Sequence, residues 1–307
     1  MTSRYLVLRL LDVAVTMLAM SVIVFVAVRV LPADPVLLLA GEYARPGELE
    51  AIRAELGLDR PIPVQYVRWL KGALVGNLGT SIRTQRPVSE VFLQRVPATI
   101  ELASMALVLG ITIGLPLGVM GAVRRNSWVD RLVRVSAVTM HSTPTFFLGL
   151  LLILLFAVVL GWLPAFGYGG WRNVILPSLT LSTFVIALVA RIGRASMLEV
   201  LNTDYVRTAN AKGLPSRVVI WKHALRNALI PVVTVVGLQF GNLIGGTIVT
   251  ETVFAWPGIG SAAYQAILER DYPIIQAIVL YVALGVACVN LLVDFLYAIL
   301  QPQVRFD

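Results

Sequence analysis

The stretch Met197-Leu-Glu-Val-Leu-Asn-Thr-Asp204, continued by Tyr205-Val-Arg-Thr-Ala-Asn-Ala-Lys-Gly213 and then Leu214-Pro215, decides how this chain is read. It lies between two apolar runs, Leu176 to Ala190 and Leu229 to Val249, neither of which contains a charged residue. The small, helix-forming residues after Asp204 predict a helix over 205–213, with the acid just before its start and Gly213 as its stop. Beyond Pro215 a basic helix, Arg217 to Arg226, leads into the next apolar run. A helix of one to two turns, held out from a membrane by Pro215 and flanked by base, suits docking on a soluble partner. The same pattern suits an interfacial helix against anionic lipid.

Working outward, the composition is that of a membrane protein. Of 307 residues, 58% are hydrophobic and 14% charged, with a mean hydropathy of +0.82; soluble domains use about 45–50% apolar and about 25% charged residues. A soluble enzyme domain and a disordered tail are excluded. Cys288 stands alone, so a disulfide scaffold is excluded as well. The net charge of +8 and pI near 10.0 would point to nucleic acid in a soluble protein. Here the arginines sit between apolar runs, so they read as orientation signals and no nucleic-acid partner is expected.

A span needs about 20 apolar residues. Six segments qualify: Val13 to Leu31, Thr99 to Val123, Ser136 to Leu160, Leu176 to Ala190, Leu229 to Val249 and Ile274 to Leu300. The expected fold class is therefore all-α, a polytopic membrane protein with six transmembrane helices in a lipid bilayer. Arg191 and Arg194 cut the fourth segment short. Arg4 and Arg9 before the first run resemble a signal peptide, but the run is too long and no small-x-small site follows, so an uncleaved anchor is expected. With the N-terminus inside, fourteen lysines and arginines fall on inner segments, from Arg4 to Arg305, against Arg172 and Arg270 alone on the short outer loops. That asymmetry places both termini in the cytoplasm of a multi-pass plasma (inner) membrane protein.

Three regions follow: 1–31 with the first span, an extracytoplasmic segment 32–97, and a core 98–307 with five spans and the inner loop 191–228. The outer segment predicts two short helices, Pro46 to Gly57 and Pro63 to Leu74, the second with Tyr66, Trp69 and Leu70 on one face. That face suits a cap at the membrane interface or a plain packed loop. Gly110, Gly114 and Gly118 repeat every four residues, as do Gly237, Gly241 and Gly245. Such stripes let backbones approach closely, for static packing or for a helix that repacks during transport.

Catalytic chemistry is not found. Two histidines, His141 and His223, allow no His-x-x-x-His zinc pair, and no metal or cofactor is expected. None of the three lysines (Lys71, Lys212, Lys222) follows a glycine, so the Walker A phosphate cradle is missing. Intramembrane polar groups are few: Glu101 at the start of the second span, Gln239 and Asn242 in the fifth, Asn290 and Asp294 in the sixth. There is no mid-depth chain of acids and no pair of inverted halves, which weighs against an ion-driven carrier. The rival classes are an intramembrane enzyme, which would need paired catalytic groups, and a stand-alone channel, which would work without ATP.

Asp204 to Leu214, followed by His223-Ala-Leu-Arg-Asn-Ala-Leu-Ile-Pro231, resembles the EAA loop of ABC importer permeases, and more narrowly the B-type permease of dipeptide, oligopeptide and nickel importers. Gly76-Asn-Leu-Gly-Thr-Ser81, Arg95-Val-Pro-Ala-Thr-Ile-Glu-Leu102, Thr143-Pro-Thr-Phe-Phe147 and Glu251-Thr-Val-Phe-Ala-Trp-Pro-Gly-Ile-Gly260 extend the likeness along almost the whole chain. It departs from the general EAA pattern in lacking the acid and the late proline: aligned on Gly213, it has Arg207-Thr-Ala209 and His223-Ala-Leu-Arg226. The resemblance implies a type I importer permease fold, non-catalytic. It implies as partners a second homologous permease, two cytoplasmic ABC ATPase subunits or domains, and an extracytoplasmic substrate-binding protein. Asp204, Tyr205, Arg207, Thr208, Ala209, Asn210, Ala211, Lys212 and Gly213 would couple to the ATPase. Glu251, Trp256, Pro257, Gly258 and Gly260, with Gly237, Gly241, Gly245, Gln239 and Asn242, would belong to the gate and pathway. Di- or oligopeptides are the expected cargo, with nickel, a sugar, haem or another small solute as the alternative.

Overall fold

The computed structural model describes residues 3–30, 36, 46–55 and 57–300. Leu31, most of the first part of the outer segment (32–35 and 37–45) and Arg305 lie outside them. The described residues form two compact units, one within Met1–Thr99 and Pro257–Ala287, the other within Ile100–Trp256 and Cys288–Arg305.

The first unit starts with the apolar helix α1 (Ser3–Val30). The segment 32–97 then forms α2 (Pro46–Glu55), with Glu48 in its first turn, and α3 (Ile62–Leu74), with a proline opening the helix. The aromatic face of α3 sits on protein. The Tyr66 hydroxyl is 2.8 Å from Ser21 Oγ, and the Phe25 ring lies 5.2 Å from Tyr66, edge-on, and 5.5 Å from Trp69. Tyr66 and Trp69 thus pack against α1. α4 (Val88–Val123) begins in this unit, and α11 (Ile259–Leu268) and the start of α12 (Tyr272–Leu300) pack with it around Val88, Ile259, Ala277 and Ile278. Asp271, buried between the last two helices, accepts hydrogen bonds from Ser81 Oγ and from the backbone N–H groups of Ile82 and Arg83. It thereby pins the Gly76–Ser81 motif to the end of α11.

The second unit holds the rest of α4, then α5 (Trp128–Ser142), α6 (Thr145–Leu152), prolonged through a π-helical turn over Ile153–Val159, and α7 (Trp171–Leu201). α8 (Asp204–Ala211) follows, then a π-helical turn over Val219–Ala224, α9 (Leu225–Gly246) and α10 (Ile248–Val253). Among the described residues no strand forms beyond an isolated Thr80–Pro87 bridge. Among the described residues, five helical stretches are long and apolar enough to cross a membrane: Val7–Val30, Val88–Val123, Trp171–Leu201, Ser216–Gly245 and Tyr272–Phe295.

The remaining expected span, Ser136 to Leu160, is not one helix. α5 and α6 meet at Thr143-Pro144 with a bend of 102°, so the described residues hold five span-length helices and one sharply bent pair where a sixth straight span was expected. Pro144 explains the break, because the residue before a proline is pushed out of helical geometry, and Thr143 is extended (ψ 124). The fourth span is longer than expected. α7 runs through Arg191 and Arg194 because Arg194 meets a partner: its Nε and Nη2 lie 2.6 and 2.9 Å from the carboxylate of Asp130, which is fully buried. Glu101, expected at a span start, lies more than three turns inside α4, which begins eleven residues earlier than the apolar run suggests.

The first glycine stripe is a contact surface. A Cβ added at Gly114 would sit 2.8 Å from the carbonyl oxygen of Ile186, and one at Gly118 would sit 2.7 Å from that of Ala190. α4 and α7 therefore touch backbone to backbone, with no side chain free to yield. Gly114→Val should cost about 3 kcal/mol or more through forced separation of the helices. The check is the unfolding midpoint of the detergent-purified protein; a midpoint unchanged from wild type would show that the contact is not tight.

Candidate functional site

The helix predicted over 205–213 forms as α8 (Asp204–Ala211), with Asp204 inside it and Thr203 in the N-cap position. At the far end Gly213 has φ +74, and its N–H donates to Asn210 O at 3.0 Å. That left-handed geometry is why glycine ends the helix there. Asp204, Arg207, Thr208, Asn210, Ala211, Lys212 and Gly213 are all exposed, with Arg207 3.4 Å from Asp204. Tyr205 is exposed too, and its hydroxyl accepts from Asn227 Nδ2 at 2.7 Å, tying α8 to the start of α9. Ala209 instead turns inward. With Val206 it enters a cluster made of Val119 and Ala122 of α4, Met197 of α7, Val219 and Ala224 of the π-turn, and Leu225 and Ala228 of α9. Sequence reasoning left out Val206; its three-residue spacing from Ala209 in an otherwise polar octet was the available signal.

Of the second predicted group, Glu251 and Trp256 belong to the second unit and Pro257, Gly258 and Gly260 to the first. Glu251 is fully buried, accepts from Thr247 Oγ1 at 2.8 Å, and its backbone carbonyl accepts from the N–H of Trp256 at 2.8 Å. Trp256 and Phe254 are buried as well. The loop after the Ile153–Val159 turn closes over them: Tyr168 stands edge-on to Trp256 with centroids 4.8 Å apart, and Gly167 N–H donates to Phe254 O at 3.2 Å. Burial raises the Tyr168 hydroxyl pKa, and its bond to the Glu101 carboxylate raises it further. Pro257 is half-buried. Gly258 caps α11, where its carbonyl accepts from Ala262 N–H and Ser261 Oγ, and Gly260 is buried in that first turn. Of the α9 candidates, Gly237 abuts Val293, Gly241 is buried, Gly245 is exposed, and Asn242 Nδ2 approaches Gln239 Oε1 at 3.5 Å. Tyr168 was not foreseen, because its contact partners lie far away in sequence. Among the described residues no group of His, Cys, Asp or Glu could hold a metal ion.

A helical membrane core carries a short helix with a polar face, and the family match gives its class, the transmembrane permease of a binding-protein-dependent importer. The chain belongs to that family: residues 114–306 match the binding-protein-dependent transport system inner membrane component, and residues 2–103 match the N-terminal part of such components. It is 47% identical over 302 residues to the glutathione transport system permease protein GsiC of Pectobacterium atrosepticum, covering 98% of this chain and 99% of that one. To GsiC of Salmonella typhimurium it is 46% identical, with the same coverage. In fold it is similar to the inward-facing MetNI methionine ABC transporter, with a TM-score of 0.57 at 19% identity, covering 68% of this chain and 95% of that one. The chain is a B-type permease subunit of the ABC importer family with the type I permease fold, multi-pass in the inner membrane.

Ala255, between the two buried aromatics, has φ +49. A side chain in that left-handed region costs about 1–2 kcal/mol. Ala255→Gly should relieve part of it and raise the unfolding midpoint of the purified protein, by up to about 1 kcal/mol of stability. A lowered midpoint would mean that the methyl group is needed where it stands.

Proposed function

We propose that this chain forms half of the translocation pathway of a peptide importer and is driven through α8 by ATPases it does not contain. Its partners in this reading are a second homologous permease, two ATPase subunits or domains seated on the two coupling helices, and an extracytoplasmic binding protein. Both termini face the cytoplasm, the segment 32–97 lies outside, and the region 98–307 acts as the core. The substrate reading draws on the relatives named for glutathione transport, since glutathione is a peptide. One observation carries the coupling reading: α8 exposes a polar face while Val206 and Ala209 anchor it to the ends of three spanning stretches. A load on that face passes into the spans as rigid-body motion.

In the cycle, ATP binding closes the ATPase pair, α8 moves with it, and the spans switch from inward- to outward-facing; hydrolysis resets the cycle. Loaded binding protein and ATP together must supply about 5.5 kcal/mol of differential binding to invert a 1:99 equilibrium. The permease supplies shape and bistability and makes or breaks no bond. Glu251, Trp256, Pro257, Gly258 and Gly260 act at the outer gate, and Gly237, Gln239, Gly241, Asn242 and Gly245 along the pathway.

Gly213→Val tests the coupling role. The site has open space around it, so the effect comes from the backbone: a β-branched residue at φ +74 is strained and shifts the end of α8. Peptide uptake and binding-protein-stimulated ATP hydrolysis in reconstituted complex should both fall at least about tenfold, a change of about 1.4 kcal/mol in coupling. Retention of both at wild-type rates removes α8 from the coupling path.

A further inference from the structure

One end of the second unit carries a charge imbalance. Between Glu101 and Glu199 the chain has one acid, Asp130, and seven arginines. Asp130 on α5 is fully buried, takes Arg194 of α7 in a bidentate pair, and has Arg134 at 3.6 Å. Arg131 and Arg191 are exposed, and their side chains make no hydrogen bond or ion pair among the described residues. Glu199, the next acid along α7, stands about 12 Å past Arg191 along the helix. Guanidinium charge without a carboxylate thus collects at this end of α5 and α7. It is the α8 end, because Met197, one turn beyond Arg194, belongs to the cluster beneath α8.

The two helices also change character at one level. Asp130 pairs with Arg194, and eleven residues on, His141 stacks on Phe184, ten residues back, with ring centroids 4.7 Å apart. At 1.5 Å per residue these steps are about 16 and about 15 Å, so α5 and α7 run antiparallel and in register. In that register Arg134 stands level with Ala190, one residue from Arg191. After Arg134 no Lys, Arg, Asp or Glu occurs until Arg172, and none occurs between Arg172 and Arg191. The step from charged to apolar therefore falls at the same depth on both helices, to within about 2 Å. Such a step marks where a bilayer passes from headgroups to hydrocarbon.

Space for a ligand lies across this step. A cavity of about 410 Å³ between α5 and α7 has Arg134 and Arg191 on its charged side and Val138 and Ala187 further in. A second hollow of about 450 Å³ shares Arg134 and Val138 with it and adds Arg131 and Val135. Arg131, Arg134, Val135 and Val138 are spaced i, i+3, i+4 and i+7, so they share one face of α5. Val135 and Val138 are 58% and 66% exposed. An occupant of this face meets guanidinium groups at one level and bare aliphatic side chains within a turn. A soluble anion would satisfy only the first. A phospholipid, with its phosphate at the arginines and an acyl chain along the valines, satisfies both.

We propose that this face of α5 and α7 binds an anionic phospholipid of the leaflet on the α8 side. Arg191 and Arg134 hold the phosphate, with Arg131 beside them, and Val135 and Val138 carry an acyl chain. Guanidinium groups suit a phosphate, which accepts their hydrogen bonds in parallel. Their uncompensated charge favours a headgroup of net negative charge over one whose phosphate is balanced by its own ammonium. The assignment requires no particular cargo for the importer.

The test reads the occupant of the face directly. The full complex, with a photocrosslinking residue in place of Val138, is reconstituted in bilayers of phosphatidylethanolamine with a minor share of phosphatidylglycerol, and the adducts are identified by mass spectrometry. Phosphatidylglycerol should be enriched in the adducts about fivefold over its share of the bilayer, the scale of one arginine at a membrane surface. Arg191→Gln should remove most of that enrichment. Arg191→Lys should keep much of it, a rescue that a misfolded protein would not show. Arg172→Gln, the same loss of charge at the opposite end of α7, should leave it unchanged. Millimolar inorganic phosphate should not compete. No enrichment in the wild type, or an equal loss with Arg172→Gln, overturns the proposal. Competition by free phosphate would make the site one for a soluble anion, and adducts with a protein subunit would assign the face to that neighbour; either result overturns it as well. None of these readouts involves transport, so their failure leaves peptide import intact.

Discussion

The structure depends on what holds α8 in place. An eight-residue helix does not persist in water by its own hydrogen bonds, because nucleation outweighs so few turns. Two side chains supply the difference. Val206 and Ala209 are buried among residues from the ends of α4, α7 and α9, and a fully buried valine contributes about 1.5–3 kcal/mol. The bond from Asn227 to Tyr205 adds a second tie to α9. The polar face is thus displayed on a mount continuous with three spanning stretches, and in the proposed coupling a push on that face would pass to their ends.

From there inward, the α4–α7 contact governs how the push is shared. Where a glycine faces a carbonyl oxygen with no room for a methyl group, neither helix can rotate about its axis without a clash. The first glycine stripe brings α4 and α7 backbone to backbone at Gly114 and Gly118. The helical geometry is irregular elsewhere, in the π-helical turns at Ile153–Val159 and Val219–Ala224 and at the sharp bend at Thr143-Pro144. Each breaks the regular hydrogen-bond ladder, and π-turns recur at functional positions for that reason. The Val219–Ala224 turn lies directly between α8 and α9.

What the sequence revealed, and what it hid, divides along the range of the interactions. α8, the two outer helices and the apolar spans are legible because they rest on contacts within one turn: Gly213 as a stop, a proline opening α3, runs of uncharged residues. The bend at Pro144 was also local, but a count of apolar residues measures length and ignores direction. The full length of α7 was hidden because Arg194 is tolerated only through Asp130, sixty-four positions away. The same holds for Ser81 and Asp271, 190 positions apart, and for the Tyr168–Trp256 contact. None of these pairs has a local signature, so residues that looked like span boundaries or loop filler became fixed points of the fold.

The proposed gate can be set against the energy available to move it. Trp256 is buried, and an indole removes about 150–250 Å² from water, so leaving it fully exposed costs about 4–6 kcal/mol at about 25 cal/mol per Å². That alone matches the about 5.5 kcal/mol needed to invert the conformational equilibrium, before the bonds from Gly167 to Phe254 and from Tyr168 to Glu101 are counted. A gate that simply peeled Trp256 into water would consume the whole drive. The outward-facing state must therefore keep the indole covered. The economical way is to carry Tyr168, Phe254 and Trp256 as one block, breaking contacts at the block's edge and none at its centre. The strained backbone of Ala255, itself exposed, joins the two buried rings of that block. A conformation so over-determined by its neighbours survives a rigid-body displacement and would relax if the rings parted.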